Sequence, residues 1–372
     1  MKIADVVAVP IHIPLESPYT FARGSMTGFK NVIVKMVTDE GITGYGESAP
    51  LFRTLDPVAI ARAVNEIIRP VILGLSPLNT EQIIAAALEL VEGDTQYVSG
   101  IDLALWDIMG QHFGVPIHDL LGGQCEKSVL VDYTVTASDP GEMAEVAAEV
   151  CERGYPGVVV KATGESLDRD VEGVHRVREV LPPDKTVRVD SNGGYDTSGA
   201  VAFLKAIVDL DIEFVEQPVP PGDIEGLKQC RSVGIPISVD EGLMTLRDAI
   251  DLVSAEACDV MNIKVPRVGG LLLAKRMAAI ADAAGLPVVV GGRTSFEISR
   301  AASRHFAVST PGTLARAHEG PGPASQRLSD DVVDEKPTLA TVAEMGGRIP
   351  VEQGPGLGIH VNWDKVLSYR IS

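Results

Sequence analysis

The sequence predicts an α/β protein built on a β/α barrel, with a smaller α+β domain in front of it. From residue 129 onward, short β-branched runs alternate with helical segments, as in parallel strands joined by crossover helices. Four runs end in a charged residue, at Asp190, Glu216, Asp240 and Lys264, with intervals of 26, 24 and 24 residues. One interval is about one strand and one crossover helix, so these side chains fall at the C-terminal ends of successive strands. In an eight-stranded barrel those ends face one mouth, where active sites lie.

Residues 1–125 are predicted to form the α+β domain. Strand-like runs occupy 2–13, 31–38 and 42–47, and the turn chemistry between the last two suggests an antiparallel meander. Helical segments follow at 57–71, 79–91 and 100–113, and the last of them has apolar residues at helical spacing.

Two loops of this domain are candidate lids. Residues 16–30 carry Tyr19, Phe21 and Arg23 among Ser, Gly and Thr, and Phe52 lies in a second loop after residue 46. A long polar loop with isolated aromatic residues can close over a ligand. An ordinary solvated crossover is the alternative.

The barrel domain is predicted to span residues 126–330. Its clearest strands are 130–134, 157–161, 186–190, 214–216, 236–240, 260–264 and 287–291, with helices such as 140–153, 167–180 and 198–210 between them. An eighth strand is predicted at 313–317. An open doubly wound sheet remains an alternative on periodicity alone. Residues 331–372, with a strand-like stretch at 348–352, are predicted to return to the first domain.

Composition narrows the class of protein. With 372 residues, 45% of them hydrophobic, the chain is long enough for about two globular domains. The net charge of −19 argues against nucleic acid or an anionic membrane as a partner. The four cysteines have no metal-like spacing, which favours reduced thiols and a cytoplasmic location. Neither a secretory leader nor an apolar run of ~18 residues is recognisable, so we expect neither secretion nor membrane insertion.

The charged strand ends predict a metal site between two amines. Lys161 ends the strand before Asp190, so five consecutive strands finish in a charged residue. Such residues are seldom buried unless they are paired or bind a metal, and salt bridges at the barrel rim are the alternative. Three carboxylates without a nearby His or Cys suit Mg²⁺, for which we expect Mn²⁺ to substitute. A lysine beside a cation can serve as a general base, and the metal can stabilise the enediolate formed when a carboxylate loses its α-proton.

The sequence resembles the enolase superfamily, and within it the muconate lactonizing enzyme subgroup, over essentially its whole length. The matching stretches are 100–107 (GIDLALWD), 116–123 (PIHDLLGG), 190–195 (DSNGGY), 216–218 (EQP), 240–241 (DE), 262–264 (NIK) and 355–358 (PGLG). The resemblance implies a modified TIM barrel, (β/α)7–8, under an N-terminal capping domain. It also implies Asp190, Glu216 and Asp240 as metal ligands and Lys161 and Lys264 as opposed acid/base residues. A lysine base with Mg²⁺ stabilising the enediolate is known chemistry of this superfamily.

Several positions depart from the family pattern. The usual Lys-x-Lys of the second strand has Val159 at its first position, and a one-residue slip would put Ala162 at the catalytic place. On the seventh strand, Ser295 stands nearest the usual glutamate and Glu297 follows it.

Further candidate substrate contacts surround these positions. Arg293 can pair with Glu297 or reach a substrate anion, and Asn192 faces the same side as Asp190. His318 and Glu319 lie in the stretch where dipeptide-specific members carry Asp-x-Asp, and this sequence lacks that pair, which makes a dipeptide a less favoured substrate. His318 is more often a rim residue than a catalyst.

The predicted enzyme is an isomerase that abstracts the α-proton of a small carboxylate substrate. Two lysines on opposite faces favour racemisation or epimerisation of an amino-acid derivative. Cycloisomerisation of a muconate-like diacid and dehydration of an acid share the intermediate and remain alternatives. A catalytically silent binding scaffold is the alternative outside enzymology. A homo-oligomer is expected.

Overall fold

The computed structural model describes residues 1–21, 24–50, 55–136, 139–292, 294–313, 317–320 and 322–372. The strands are β1 (Ile3–Phe21), β2 (Gly24–Thr38), β3 (Thr43–Ser48), β4 (Ser128–Val135), β5 (Gly157–Lys161), β6 (Thr186–Asp190), β7 (Val215–Glu216), β8 (Ile237–Val239), β9 (Val260–Ile263), β10 (Val288–Val290), β11 (His318–Glu319) and β12 (Arg348–Pro350). The helices are α1 (Pro57–Arg62), α2 (Arg69–Ile72), α3 (Thr80–Leu90), α4 (Ser99–Phe113), α5 (Ile117–Leu120), α6 (Pro140–Glu152), α7 (Leu167–Val180), α8 (Thr197–Ile207), α9 (Ile224–Arg231), α10 (Leu246–Ser254), α11 (Leu271–Ala283), α12 (Glu297–Val308), α13 (Pro323–Gln326), α14 (Leu339–Glu344) and α15 (Trp363–Ser368). A π-helical turn (Ala63–Ile68) joins α1 to α2.

The N-terminal sheet is an antiparallel meander in the order β1-β2-β3, as predicted. Its first two strands extend well beyond the predicted ends. Pairing continues past an irregularity between Pro14 and Tyr19, so the prediction that residues 16–30 form a loop was wrong. Cross-strand hydrogen bonds stabilise this hairpin even though its composition is typical of a loop. The result is a long two-stranded arm, formed by β1 and β2 beyond the end of β3, that carries Tyr19.

The eight parallel strands of the barrel run in the order β10-β9-β8-β7-β6-β5-β4-β11, which confirms the predicted fold. The eighth strand of this order is β11. Thr313 ends a 3₁₀ turn (Pro311–Thr313), and residues 314–316 of the strand predicted at 313–317 lie outside the described residues. At the seam between the first and last strands of this order, Val290 N donates to His318 Nδ1 at 3.0 Å. Inside the barrel, Phe214, Val260 and Val289 form a small apolar core below the strand ends.

Several crossover helices begin where the sequence supplies a capping side chain. Asp139, Ser166 and Asp196 each accept a hydrogen bond from a backbone N–H in the first turn of the helix that follows. Such caps satisfy donors that the helix itself cannot, and each contributes about 1 kcal/mol. These caps therefore help to fix where α6, α7 and α8 start.

Buried carboxylates of the N-terminal domain hold the two domains together. Asp102 on α4 accepts hydrogen bonds from Leu271 N and Leu272 N, at 2.5 and 3.4 Å, and so caps barrel helix α11. Asp107, on the same helix, accepts from Tyr45 N and from Leu357 N, both at 2.9 Å. The family-like stretch at 100–107 thus has a structural role at this interface.

The C-terminal segment contacts both domains. β12 pairs antiparallel with β4 of the barrel. Near the C-terminus, His12 N donates to Tyr369 O at 3.0 Å and Ile371 N donates to Pro10 O at 2.9 Å. The end of the chain therefore lies along β1 of the first domain. No helix in the described part of the chain is long and apolar enough to cross a bilayer.

Glu47 is a third buried carboxylate that joins the two domains, and its removal is expected to destabilise the protein. Its buried carboxylate accepts hydrogen bonds from Asn31 Nδ2 at 2.7 Å, from Phe296 N at 2.8 Å and from Ser299 N at 3.0 Å. Glu47→Ala leaves these donors unsatisfied, and each such donor costs about 1–3 kcal/mol. We expect the free energy of unfolding, measured in urea, to fall by on the order of 3 kcal/mol.

A comparison of the wild type with Glu47→Gln tests how the stability contributed by Glu47 depends on pH. Burial raises the pKa of Glu47 from 4.5 to about 7, although the three donors lower it. Because the folded pKa is raised, the stability that this group contributes is present below pH 4.5 and lost as the pH rises through about 7. The stability advantage of the wild type over Glu47→Gln is expected to shrink over that interval. An advantage that grows with pH would contradict the assignment.

Candidate active site

The strand register places three of the predicted site residues side by side. Lys161 is the cross-strand neighbour of Asp190, and Asp190 is the neighbour of Glu216. This register contains no slip, so Lys161 and not Ala162 stands beside Asp190. Asp240 directly follows β8, and Lys264 directly follows β9. Asp190, Glu216 and Asp240 are each at most 3% exposed.

Lys161 is bound to groups on the next strand and its loop. Its Nζ donates to Asp190 Oδ2, and also to Asn192 Oδ1 at 3.1 Å. Burial lowers the pKa of Lys161, but its electrostatic interactions with Asp190, Tyr19 and Glu216 and its hydrogen bond to Asp190 more than offset this, so the pKa lies above its ordinary value. In this arrangement Lys161 is therefore an ammonium group that holds its proton more tightly than a free lysine does.

Lys264 is bound to the other edge of the cluster. Its Nζ donates to Asp240 Oδ2 at 2.9 Å, and Arg267 Nη2 lies 2.5 Å from Asp240 Oδ1. Burial raises the pKa of Asp240, but Arg267 and Lys264 more than offset it and hold the pKa below its usual range. Arg267 was missed in the sequence because nothing in its spacing distinguishes it from a surface arginine. Its side chain is only 1% exposed.

Amide side chains connect the carboxylates. Asn262 Nδ2 donates to Glu216 Oε1 at 3.0 Å. Asn192 Nδ2 donates to Asp190 Oδ2 at 3.0 Å and to Glu241 Oε1 at 3.2 Å. Burial, with the charges of Asp240 and Asp190, raises the pKa of Glu241 to about 7. Asn192 thus lies on the Asp190 side of the cluster, and its contact with a substrate stays a prediction.

Gln217, directly after Glu216, fixes the loop that carries Asp240. Its Oε1 accepts from Asp240 N at 3.1 Å and from Gly242 N at 3.0 Å, and its backbone carbonyl accepts from Gly193 N at 2.7 Å. To do this Gln217 adopts a left-handed φ of 39°, which is unusual for a residue other than glycine. One residue therefore ties together the loops after β6, β7 and β8.

The donor set fits a hard divalent cation. Asp190, Glu216 and Asp240 offer only carboxylate oxygens from three adjacent strand ends, which suits Mg²⁺. As the side chains stand, no cluster of three or more His, Cys, Asp and Glu in the described ranges is arranged to hold a metal. Lys161 and Lys264 instead occupy oxygens of two of the three carboxylates. The metal-ligand assignment stays a prediction.

The arm of the N-terminal domain brings Tyr19 to the barrel mouth. Burial is the main cause that raises the pKa of the Tyr19 phenol, while Lys161 lowers it and Asp190 raises it, so Tyr19 lies in electrostatic range of both. The guanidinium of Arg327 lies 5.6 Å from the centre of the Tyr19 ring. The predicted contacts of Phe21, Arg23 and Phe52 with substrate involve side chains outside the described part of the structure.

The predicted contacts on the seventh and eighth strands have different outcomes. Ser295 and His318 both line a cavity of about 60 Å³ beside the seam of the barrel. Burial lowers the pKa of His318 to about 3, so it is a neutral seam residue. Glu297 is buried and paired with Arg304 on its own helix. Arg293 and the side chain of Glu319 lie outside the described residues, so the predicted Arg293–Glu297 pair and the Glu319 contact stay predictions.

A second buried cation below the site was also missed in the sequence. Arg188, two residues before Asp190 and on the same face of β6, is 1% exposed. Its Nη1 lies 2.6 Å from Asp132 Oδ2, its Nε donates to Glu213 Oε2 at 2.7 Å, and its guanidinium lies 4.7 Å from the centre of the Phe214 ring. The charged residues at the strand ends therefore lie above a second buried charged group and not above apolar side chains alone.

Comparisons with known proteins show the family to which this chain belongs. Two family models match, the Mandelate racemase / muconate lactonizing enzyme, N-terminal domain, over residues 3–122 and the Enolase C-terminal domain-like family over residues 142–365. The N-succinyl-L-Arg/Lys racemase of Bacillus cereus is 30% identical over an alignment of 375 positions that covers 100% of this chain and 98% of that protein. Its crystal structure, at 29% identity, has a TM-score of 0.91 and covers 100% of this chain and 99% of that one.

Two further relatives differ in the reaction that their names describe. Muconate cycloisomerase 1 of Rhodococcus opacus is 30% identical over an alignment of 377 positions that covers 99% of this chain and 98% of that protein. The crystal structure of a dipeptide epimerase of Enterococcus faecalis, complexed with Mg and the dipeptide L-Leu-L-Tyr, has a TM-score of 0.88 at 29% identity. It covers 96% of this chain and 99% of that one.

Proposed function

The chain belongs to the mandelate racemase/muconate lactonizing enzyme group of the enolase superfamily, and from this premise we propose that it is a Mg²⁺-dependent racemase or epimerase of an amino-acid derivative. The chain is an enzyme, because its relatives are racemases, epimerases and cycloisomerases, and isomerisation is the main class of reaction among them. The proposal adds the cofactor, the substrate class and the roles of named residues.

One observation carries the proposal, the opposed positions of the two lysines. In the ring of eight strands, β5 and β9 are four steps apart, which is half of the circumference. Lys161 and Lys264 end or follow these strands and reach the carboxylate cluster from its two edges. A carbon atom held between them has an amine on each face. Removal of its proton by one amine and return by the other inverts its configuration.

The carboxylates would hold the metal and through it the substrate. Asp190, Glu216 and Asp240 would bind Mg²⁺, which supplies charge stabilisation for a substrate carboxylate whose α-carbon loses a proton. Asn192 orients both the Asp190 carboxylate and the Lys161 amine, since it bonds to each of them. Tyr19, at the end of the arm, covers the Lys161 side of the mouth and limits the access of water.

An amino-acid derivative is the substrate class that the relatives favour. Two of the three described above act on such compounds by name, an N-succinyl amino acid racemase and a dipeptide epimerase. Cycloisomerisation is the second candidate, because Muconate cycloisomerase 1 matches over the same length at the same identity. Both reactions pass through an enediolate, so the product and not the first step distinguishes them.

Exchange of the α-proton with solvent tests the proposal directly. Purified protein is incubated in D₂O with N-acyl amino acids, dipeptides, proline derivatives, hydroxy acids and muconate, with Mg²⁺ or with excess EDTA. We expect deuterium at the α-carbon of an N-acyl amino acid or dipeptide, formation of the opposite stereoisomer, and loss of both with EDTA. Lactone formation from muconate would favour the cycloisomerase, and absence of exchange with every acid would contradict the proposal.

A further inference from the structure

The loops that follow Lys161 and Asp190 are joined by a buried carboxylate of the next helix. Asp170 on α7 is 2% exposed, and its Oδ2 accepts from Gly164 N at 2.8 Å and from the Tyr195 hydroxyl at 2.7 Å. Gly164 lies three residues after Lys161, and Tyr195 lies five residues after Asp190. A single oxygen atom therefore ties the loop behind the lysine to the loop behind its carboxylate partner.

The two loops also pack backbone against backbone. A Cβ atom on Gly164, which has a left-handed φ of 77°, would lie 2.5 Å from Gly194 O. Ala162 N donates to Asp190 O at 3.0 Å, which continues the strand ladder beyond Lys161. The Asp190 loop is also anchored on its other side, because Ser191 N donates to Glu216 O at 3.0 Å and Gly193 N donates to Gln217 O at 2.7 Å. Loss of the bridging hydrogen bond is therefore transmitted to the loop behind Lys161 and leaves Asp190 in place.

We propose that Tyr195 and Asp170 are positioning residues for Lys161 and that they act on one face of the substrate only. The inference rests on the proposed function. Lys264 is held by different contacts, because its carbonyl accepts from Arg267 N at 2.8 Å and from Val268 N at 3.1 Å, and its amine bonds to Asp240. Weakening the Asp170 bridge therefore displaces one of the two amines and leaves the other in place.

Tyr195→Phe tests the proposal with little change in packing. The aromatic ring, which stacks on Phe203 with centroids 5.1 Å apart, is kept, and one hydrogen bond to Asp170 is lost. Partners that orient a functional group typically contribute about 10–100-fold. We expect a loss of kcat of that size for exchange from the stereoisomer that Lys161 serves, with KM and the exchange from the other stereoisomer close to wild type.

Tyr369→Phe is the matched control, because it removes a tyrosine hydroxyl that also donates to an aspartate, Asp330, at 3.1 Å in the C-terminal segment. It is expected to leave both exchange rates unchanged. If Tyr195→Phe leaves the ratio of the two rates at its wild-type value, whether both rates fall equally or neither falls, the inference is overturned.

A second measurement does not depend on turnover. Competitive acetylation by acetic anhydride, analysed by mass spectrometry across a pH series, reports the reactivity of each lysine in the absence of substrate. We expect Tyr195→Phe to change the pH profile of Lys161 and to leave that of Lys264 unchanged. If the wild type exchanges no acid at all, the proposed function fails, and an unchanged Lys161 profile would then overturn the positioning role independently.

Discussion

Replacing either lysine is expected to abolish exchange from one stereoisomer and to spare the other. Lys161→Ala removes the amine on one face of the substrate carbon, and Lys264→Ala removes the amine on the opposite face. A positioned general acid or base contributes about 10²–10⁴-fold, so each variant should lose exchange from its own stereoisomer by that factor. Net racemisation needs both amines and should be lost in both variants. Deuterium incorporation into each pure stereoisomer, followed by mass spectrometry, measures both effects.

The control for these variants is Lys205→Ala, which removes an exposed amine in the last turn of α8. It is expected to retain wild-type exchange from both stereoisomers. Circular dichroism of all three variants confirms that the barrel is folded. Equal residual exchange from both stereoisomers in Lys161→Ala and in Lys264→Ala would refute the assignment of one lysine to each face.

The positions of the charged strand ends could be predicted because they follow from repetition. Each unit of strand and helix has nearly the same length, so a charged residue after each apolar run falls at the same end of the barrel. Lys161, Asp190 and Glu216 are adjacent in the structure for this reason alone. Neither an unusual side chain nor a long-range contact was needed to place them. The family resemblance then supplied the roles, which spacing does not give.

The arm could not be predicted because its stability comes from pairing and not from local propensity. Residues 16–30 contain proline, serine and glycine, which are typical of turns. In the structure Tyr19 pairs with Met26 across the hairpin, and Arg327 of the barrel domain lies over the Tyr19 ring. Both partners are distant in sequence or carry no signal of strand structure. A tertiary contact of this kind overrides local preference.

Buried arginines show the same limit inside the barrel. Arg188 and Arg267 are long side chains whose partners, Asp132 and Asp240, lie on other strands. Their sequence neighbourhoods do not indicate which carboxylate each one binds, or that either is buried. The pairing is decided by which strands become neighbours. The sequence therefore predicted the acidic residues and the lysines of the site but not its buried arginines.

Removing one of the proposed metal ligands is the second change with a large expected effect. Asp190→Asn and Glu216→Gln are expected to abolish Mg²⁺-dependent exchange, because a neutral amide oxygen is a much weaker ligand for a hard dication than a carboxylate. Both changes conserve shape, and a glutamine at 216 keeps an oxygen that can accept from Asn262 Nδ2. Mg²⁺ binding, measured by isothermal titration calorimetry, is expected to be lost together with activity. Glu225→Gln, which removes an exposed carboxylate on α9, is expected to bind and turn over as the wild type does.

Asp240→Asn is expected to reduce the stability of the fold as well as the binding of metal, because Asp240 also neutralises a buried arginine. Arg267 is 1% exposed, and removing one partner of a buried ion pair costs about 3–5 kcal/mol. This variant should therefore lose stability in urea as well as activity, whereas Glu216→Gln should lose activity alone. The double variant Asp240→Asn with Arg267→Met removes the buried charge as well. If it regains stability but not exchange, Asp240 has two separate roles, one in stability and one in activity. If all three carboxylate variants still bound Mg²⁺ as the wild type does, the metal site would have to lie elsewhere.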